Sequence, residues 1–175
     1  MNKNQIEKFQ HLQEVAADFP LPHQMRESWT VIKCLKESKD SWTILVQENI
    51  SKITCVLKWG KNLQADLLRQ ESQMLEKLKN MELSKVPEGY QLFEENEGVY
   101  FLREYIEGIP LDQYVMKKGG LKESELQETA VKICKTVEVF HCQKEPLVHR
   151  DIKPENIFVS RFGEFKLGDF GIARE

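Results

Sequence analysis

The sequence predicts an α+β fold, an antiparallel sheet with one helix followed by a mainly helical part. Three observations lead there. Between positions 29 and 57 three runs of β-branched and aromatic residues succeed one another, separated by polar turns. A helical period follows over 63–81, and a second, longer one over 124–141, where apolar residues recur at three and four.

Taken in order, residues 1–18 place Ile6, Phe9, Leu12 and Ala16 at helical spacing, and Pro20 and Pro22 then stop any helix. The three strand candidates are Trp29-Thr30-Val31-Ile32, Trp42-Thr43-Ile44-Leu45-Val46 and Ile53-Thr54-Cys55-Val56-Leu57, the last ending in Lys58. In the helix over 63–81, at 100° per residue, Leu67, Leu68, Met74, Leu75 and Leu78 all fall within about 60° of Glu71, whereas Glu76 points about 140° away. Glu71 therefore sits in the middle of an apolar face. A carboxylate buried there is costly unless it meets a cation.

Gln91-Leu92-Phe93 and Val99-Tyr100-Phe101-Leu102 read as two further strands around a Glu94-Glu95-Asn96-Glu97-Gly98 turn, and a short helix begins at Leu111. The long helix over 124–141 carries Leu126, Ala130, Ile133, Cys134, Val137, Phe140 and His141 on its apolar stripe, with Ser124 and Gln127 as a capping box. His141 on that stripe reads as a core histidine. Ile157-Phe158-Val159 and Glu164-Phe165-Lys166-Leu167 form a hairpin about Ser160-Arg161-Phe162-Gly163.

The chemistry concentrates in Val148-His149-Arg150-Asp151-Ile152-Lys153-Pro154-Glu155-Asn156 and Lys166-Leu167-Gly168-Asp169-Phe170-Gly171. Phosphoryl transfer needs a base beside the acceptor hydroxyl, a cation on the migrating phosphate and oxygen ligands for magnesium. Asp151, Lys153 and the pair Asn156 and Asp169 offer these in turn.

These residues match the H-R-D-x-x-x-x-N and D-F-G patterns, and over 29–175 the chain resembles the protein kinase family. The resemblance implies a two-lobe fold: an N-terminal amphipathic helix and linker over 1–28, a small lobe over 29–103, a hinge over 104–108 and an incomplete large lobe over 109–175. It implies a serine/threonine kinase using ATP and Mg2+, with Asp151 and Lys153 catalytic and Asn156 and Asp169 on the metal. Lys58, ending Cys55-Val56-Leu57-Lys58, is expected to grip the α- and β-phosphates and to pair with Glu71. Val56, Glu104, Ile106 and Phe158 join them around the nucleotide, and Arg150 anchors a phosphorylated activation loop in a longer chain.

Two expected features depart. Lys36, Ser38 and Ser41 occupy the positions of the glycine-rich nucleotide loop, which should weaken nucleotide binding unless Lys36 or Lys39 compensates by charge. Arg103 stands where the family places an apolar or small residue, and its guanidinium needs a carboxylate, Glu71 or Asp169. The chain also stops at Glu175, before an activation segment, so Leu126, Ile133 and Val137 are expected to face solvent, a partner or a second copy. Alternative readings are a pseudokinase-like scaffold binding nucleotide or a partner without transfer, and a kinase-like phosphotransferase with a non-protein acceptor. The helix over 1–18 either packs on the back of the small lobe or binds a partner.

Composition bounds these readings. The 175 residues are 41% hydrophobic and 30% charged, enough for a core, and the net charge of −3 gives no case for nucleic acid or an anionic membrane. No apolar run reaches bilayer length. The four cysteines lack metal spacing and read as reduced thiols, mostly core filler, in a cytoplasmic protein; the kinase resemblance implies a protein substrate as its partner.

Overall fold

The computed structural model describes Ala16 and residues 19–79, 85–95 and 98–174. They form two compact units, Met1–Ser72 with Gly89–Tyr105, and Gln73–Glu88 with Ile106–Glu175.

The first unit is built on five antiparallel strands: β1 (Trp29–Ser38), β2 (Ser41–Glu48), β3 (Thr54–Gly60), β4 (Gly89–Glu95) and β5 (Gly98–Glu104), in the order β1-β2-β3-β5-β4. Each strand expected in this unit is present and longer than its apolar run. Pairs such as Trp42↔Trp59 and Ser41↔Gly60 continue the ladder past Lys58, because backbone bonding does not stop where side-chain burial does. Two register shifts in β1, between Val31 and Lys33 and between Cys34 and Lys36, interrupt its alternation, and Ile32 and Leu35 are exposed there.

The expected glycine-loop region is a tight hairpin in which Ser38 pairs with Ser41 around Lys39 and Asp40. None of its residues is among the described positions of positive φ. Glycine's left-handed freedom is therefore not needed to close this turn. Its tip is tied down: Lys61 N–H donates to the Asp40 carbonyl at 3.0 Å, and Lys61 Nζ lies 3.7 Å from Asp40 Oδ1.

One face of the sheet carries Cys34, Ile44, Val46, Cys55, Leu57, Tyr100 and Leu102, packed with Ala16, Phe19 and Met25. The residues just before β1 thus fill this core. Phe19 lies 5.2 Å from the Trp42 ring and 6.1 Å from Tyr100, whose hydroxyl donates to the Pro20 carbonyl at 3.1 Å. His23 N–H donates to both Glu95 carboxylate oxygens. Gly98 is required by this packing, since a Cβ there would come within 2.3 Å of the Trp59 indole nitrogen. Of the helix expected over 1–18, Ala16 alone is a described position, and it is helical and buried; Ile6, Phe9 and Leu12 lie outside the described residues.

Helix α1 (Leu63–Lys79) buries Ala65, Leu68, Glu71, Met74, Leu75 and Leu78 and exposes Glu76, as its period predicts. Asp66 in its first turn and Lys77 and Lys79 in its last suit the helix dipole.

The second unit holds helices α2 (Leu111–Lys118) and α3 (Glu123–His141), a 3₁₀ turn at Pro154–Asn156 and a small sheet of β6 (Ile109–Pro110), β7 (Ile157–Val159) and β8 (Phe165–Leu167). Gly163 closes the β7–β8 hairpin at φ 75°. Phe140, Phe170 and His149 form a buried ring stack, Phe170 lying 6.0 Å from Phe140 and 4.6 Å from His149.

Helix α3 corrects several expectations. It starts one residue before Ser124, and its entry is closed by Lys122 N–H donating to Glu125 Oε2 at 3.0 Å. An ionised carboxylate accepts more strongly than the Gln127 amide, whose Nε2 lies 3.4 Å from Glu123 Oε1 instead. His141 is exposed in the last turn and is not a core residue. Thr129 and Phe140 are the buried residues of this helix; Leu126 is exposed as expected, Ile133 and Val137 are half-buried rather than open to solvent, and Ala130 and Cys134 are exposed.

The cysteines divide evenly. Cys34 and Cys55 are buried, and Cys134 and Cys142 are exposed rather than core filler. Burial pushes the Cys55 thiol up to about 11 and raises Cys34, helped by Glu37. At pH 8, brief iodoacetamide labelling is expected to modify Cys134 and Cys142 and spare the other two until denaturant is added. Equal labelling of all four, read by mass spectrometry, would contradict the packing of the sheet.

Candidate functional site

In the first unit, the antiparallel register puts Lys58 opposite Phe101 and Val56 opposite Arg103. Cross-strand partners share a face, so Val56, Lys58, Phe101 and Arg103 lie together, opposite the face that holds Cys55 and Leu57. Lys58 Nζ donates to both oxygens of Glu71, at 2.9 and 2.7 Å, and the carboxylate is 1% exposed. This is the cation that a buried carboxylate on an apolar helix face requires.

Arg103 is also buried, at 7% exposure. Its Nη1 donates to the Glu104 carbonyl at 3.0 Å and its Nε lies 3.6 Å from Glu71 Oε1. Glu71 thus answers the need for a carboxylate near this guanidinium. Val56 is buried beneath these groups and Glu104 closes β5.

In the second unit, Asp151, Lys153 and Asn156 meet at one oxygen. Lys153 Nζ donates to Asp151 Oδ2 at 2.7 Å and Asn156 Nδ2 to the same atom at 2.8 Å, with a further bond to the Asp151 carbonyl at 2.9 Å. The Asp151 carboxylate holds the Lys153 ammonium above its ordinary range. The Pro154–Asn156 turn makes this clustering possible by folding Asn156 back onto Asp151.

Gly168 N–H donates to the Asn156 carbonyl at 2.8 Å, which ties Asn156 to the chain at Asp169. Asp169 itself has φ 62°, a left-handed conformation that non-glycine residues adopt seldom and mostly at constrained sites. Phe158 and Ile106 flank Gly168, where a Cβ would meet them at 3.0 and 3.6 Å. The ten predicted site residues therefore fall into two sets: Val56, Lys58, Glu71 and Glu104 in the first unit, and Ile106, Asp151, Lys153, Asn156, Phe158 and Asp169 in the second.

Sequence reasoning gave His149 no role. It is 1% exposed, its Nδ1 accepts from Asp151 N–H at 3.2 Å, and its Nε2 lies 3.1 Å from the Gly168 carbonyl. A carbonyl only accepts, so Nε2 carries the proton and Nδ1 the lone pair, a neutral ring that fastens Asp151 to the Gly168–Asp169 segment. The signal was present: this histidine is the first letter of the H-R-D pattern.

The protein kinase domain family model matches residues 23–175 of the chain. The chain belongs to the protein kinase family. Among curated proteins, mouse serine/threonine-protein kinase Nek1 is 34% identical over 144 residues, covering 80% of this chain and 11% of that protein. Mouse Nek3 is 31% identical over 153 residues, 85% of this chain and 29% of Nek3, and PrkC of Bacillus subtilis is 34% identical over 105 residues, 60% and 15%. The chain thus spans less than a third of the length of these relatives. Its five-stranded sheet with one helix, joined to a helical part, agrees with the kinase family's fold. Among the described residues no helix is long and apolar enough to cross a membrane.

Proposed function

We propose that the chain is the catalytic part of a serine/threonine kinase that moves the γ-phosphoryl of magnesium-ATP to a protein hydroxyl. The observation that carries this reading is the Asp151, Lys153 and Asn156 cluster, tied by Gly168 to Asp169. In it, Asp151 Oδ2 already accepts from two donors, which leaves Oδ1 to take the acceptor hydroxyl's proton. Lys153 is two residues away with its charge intact, and transfers its hydrogen bond from Asp151 to the migrating phosphate.

The donor set suits magnesium. Asn156 spends its Nδ2 on Asp151, so its amide oxygen is the ligand atom, and Asp169 adds a carboxylate; both are hard oxygens. Bound magnesium would neutralise charge on the β- and γ-phosphates. Lys58, steadied by Glu71, binds the α- and β-phosphates, while Val56, Ile106, Phe158 and the backbone at Glu104 surround the base. The catalytic gain would come mostly from positioning and charge neutralisation.

The test is magnesium-dependent ATP binding, followed by label transfer from γ-labelled ATP to a generic protein acceptor. Labelled phosphoserine or phosphothreonine supports the reading. Binding without any transfer would make the chain a nucleotide-holding scaffold, and label on a small-molecule acceptor alone would make it a phosphotransferase of another kind. A cytoplasmic setting follows from the same reading, as the compartment where ATP and reduced thiols coexist.

A further inference from the structure

We infer that Arg103 is a positioning residue, a second cation that holds Glu71 in place from β5 while Lys58 holds it from β3. The inference deepens the reading of Lys58 as a phosphate ligand and rests on it only for its binding arm.

The argument begins with charge. Lys58 and Glu71 alone sum to zero, so a lysine that must also attract a triphosphate is neutralised by the carboxylate that steadies it. Arg103 brings a second cation to the same carboxylate, and both Glu71 and Arg103 are buried. A buried charge needs a partner: Glu71 Oε1 lies 3.6 Å from Arg103 Nε, which has no hydrogen-bond partner among the described residues. That distance is just beyond bonding; Oε1 accepts from one donor, Lys58 at 2.9 Å, and keeps a second lone pair that a small shift of Nε would reach. When Lys58 turns toward an anion, Oε1 becomes free and Nε is the nearest donor to take it.

The other end of the guanidinium is fixed. Nη1 bonds the Glu104 carbonyl, so Arg103 is a strut from helix α1 to the last residue of β5. Its five donors in a planar fork allow both contacts at once, which a lysine's compact ammonium could not make. Helix α1 therefore stays seated on the sheet whether or not Lys58 is engaged.

The decisive experiment is a thermal-denaturation cycle on the full chain with Lys58→Met, Arg103→Met and both together, repeated with Glu71→Gln. Each single change leaves Glu71 one cation and is expected to lower Tm by a few degrees. The double change strands a buried carboxylate and is expected to cost roughly 10 °C beyond the sum of the singles. With Glu71→Gln there is no charge to strand, and the two changes should add. Failure of the double variant to fold, with its Glu71→Gln version folded, carries the same meaning. Additive losses in the Glu71 background, or equal losses in both backgrounds, would overturn the inference and reduce Arg103 to packing.

A second arm titrates magnesium-ATP. Arg103→Met is expected to weaken binding roughly tenfold by removing one nearby charge, and Arg103→Lys to recover part of it. No binding by the unaltered chain would defeat the reading of Lys58, while the thermal cycle would still decide the role of Arg103.

Discussion

Asp151→Asn is expected to slow phosphoryl transfer by two to four orders of magnitude, about 3 to 5 kcal/mol in the barrier, and to leave magnesium-ATP binding within a few-fold of the unaltered chain. The amide keeps the shape of the carboxylate and can still accept from Asn156 and Lys153 through its oxygen, so Asn156, the proposed magnesium ligand, stays where it is. What it loses is the capacity to take a proton. Asp151→Ala removes the carboxylate anchor as well, leaving the buried Asn156 amide only its bond to the residue-151 backbone carbonyl, so it should depress binding in addition to transfer. The measurement is single-turnover transfer alongside calorimetric titration. Equal losses of transfer and binding in Asp151→Asn would contradict the role of base.

The second large effect concerns stability. Phe19→Ala is expected to cost about 3 to 5 kcal/mol, the usual penalty for emptying a buried aromatic site, and to lower Tm by roughly 10 °C. Phe19 is 6% exposed and wedged against the Trp42 and Tyr100 rings, in a core that continues through Trp59. It precedes the first residue matched by the family model, His23, so the sheet's core is completed by residues outside the matched region. The Tyr100 hydroxyl, bonded to the Pro20 carbonyl, fixes the backbone beside it. Leu126→Ala, on an exposed apolar position of α3, serves as control and should move Tm by less than a degree or two. A Phe19→Ala protein as stable as that control would mean the segment does not pack on the sheet.

Much of this was legible in the sequence, for physical reasons that differ from element to element. Glu71 was identifiable because helical geometry is rigid: a carboxylate surrounded by leucines within about 60° has to be buried, and a buried carboxylate has to find a cation. Asp151, Lys153 and Asn156 were grouped because they lie within six residues, where one turn suffices to bring them together.

What was missed depended on distant partners. Ala130 and Cys134 belong to a stripe with a helical period, but a period says which face is apolar and not whether anything covers it. His141 fell with that stripe. The strand ends ran past the apolar runs because ladder bonds such as Ser41↔Gly60 follow backbone register rather than side-chain hydrophobicity. The hairpin at Lys39 and Asp40 closes without a left-handed residue, so the substituted glycines left no conformational mark for sequence reasoning to detect. His149 was overlooked for the opposite reason: its contacts, to Asp151 and Gly168, become visible only once the hairpin has brought Gly168 back to it.

The central proposal is that the chain binds magnesium-ATP, with Lys58 on the phosphates and Asp169 on the metal. The most direct measurement is the dissociation constant of ATP, with magnesium and with EDTA, for the unaltered chain, Lys58→Met and Asp169→Asn. These roles require both substitutions to weaken binding in magnesium, with the effect of Asp169→Asn vanishing in EDTA and that of Lys58→Met persisting. An unchanged constant for either variant in magnesium would contradict it.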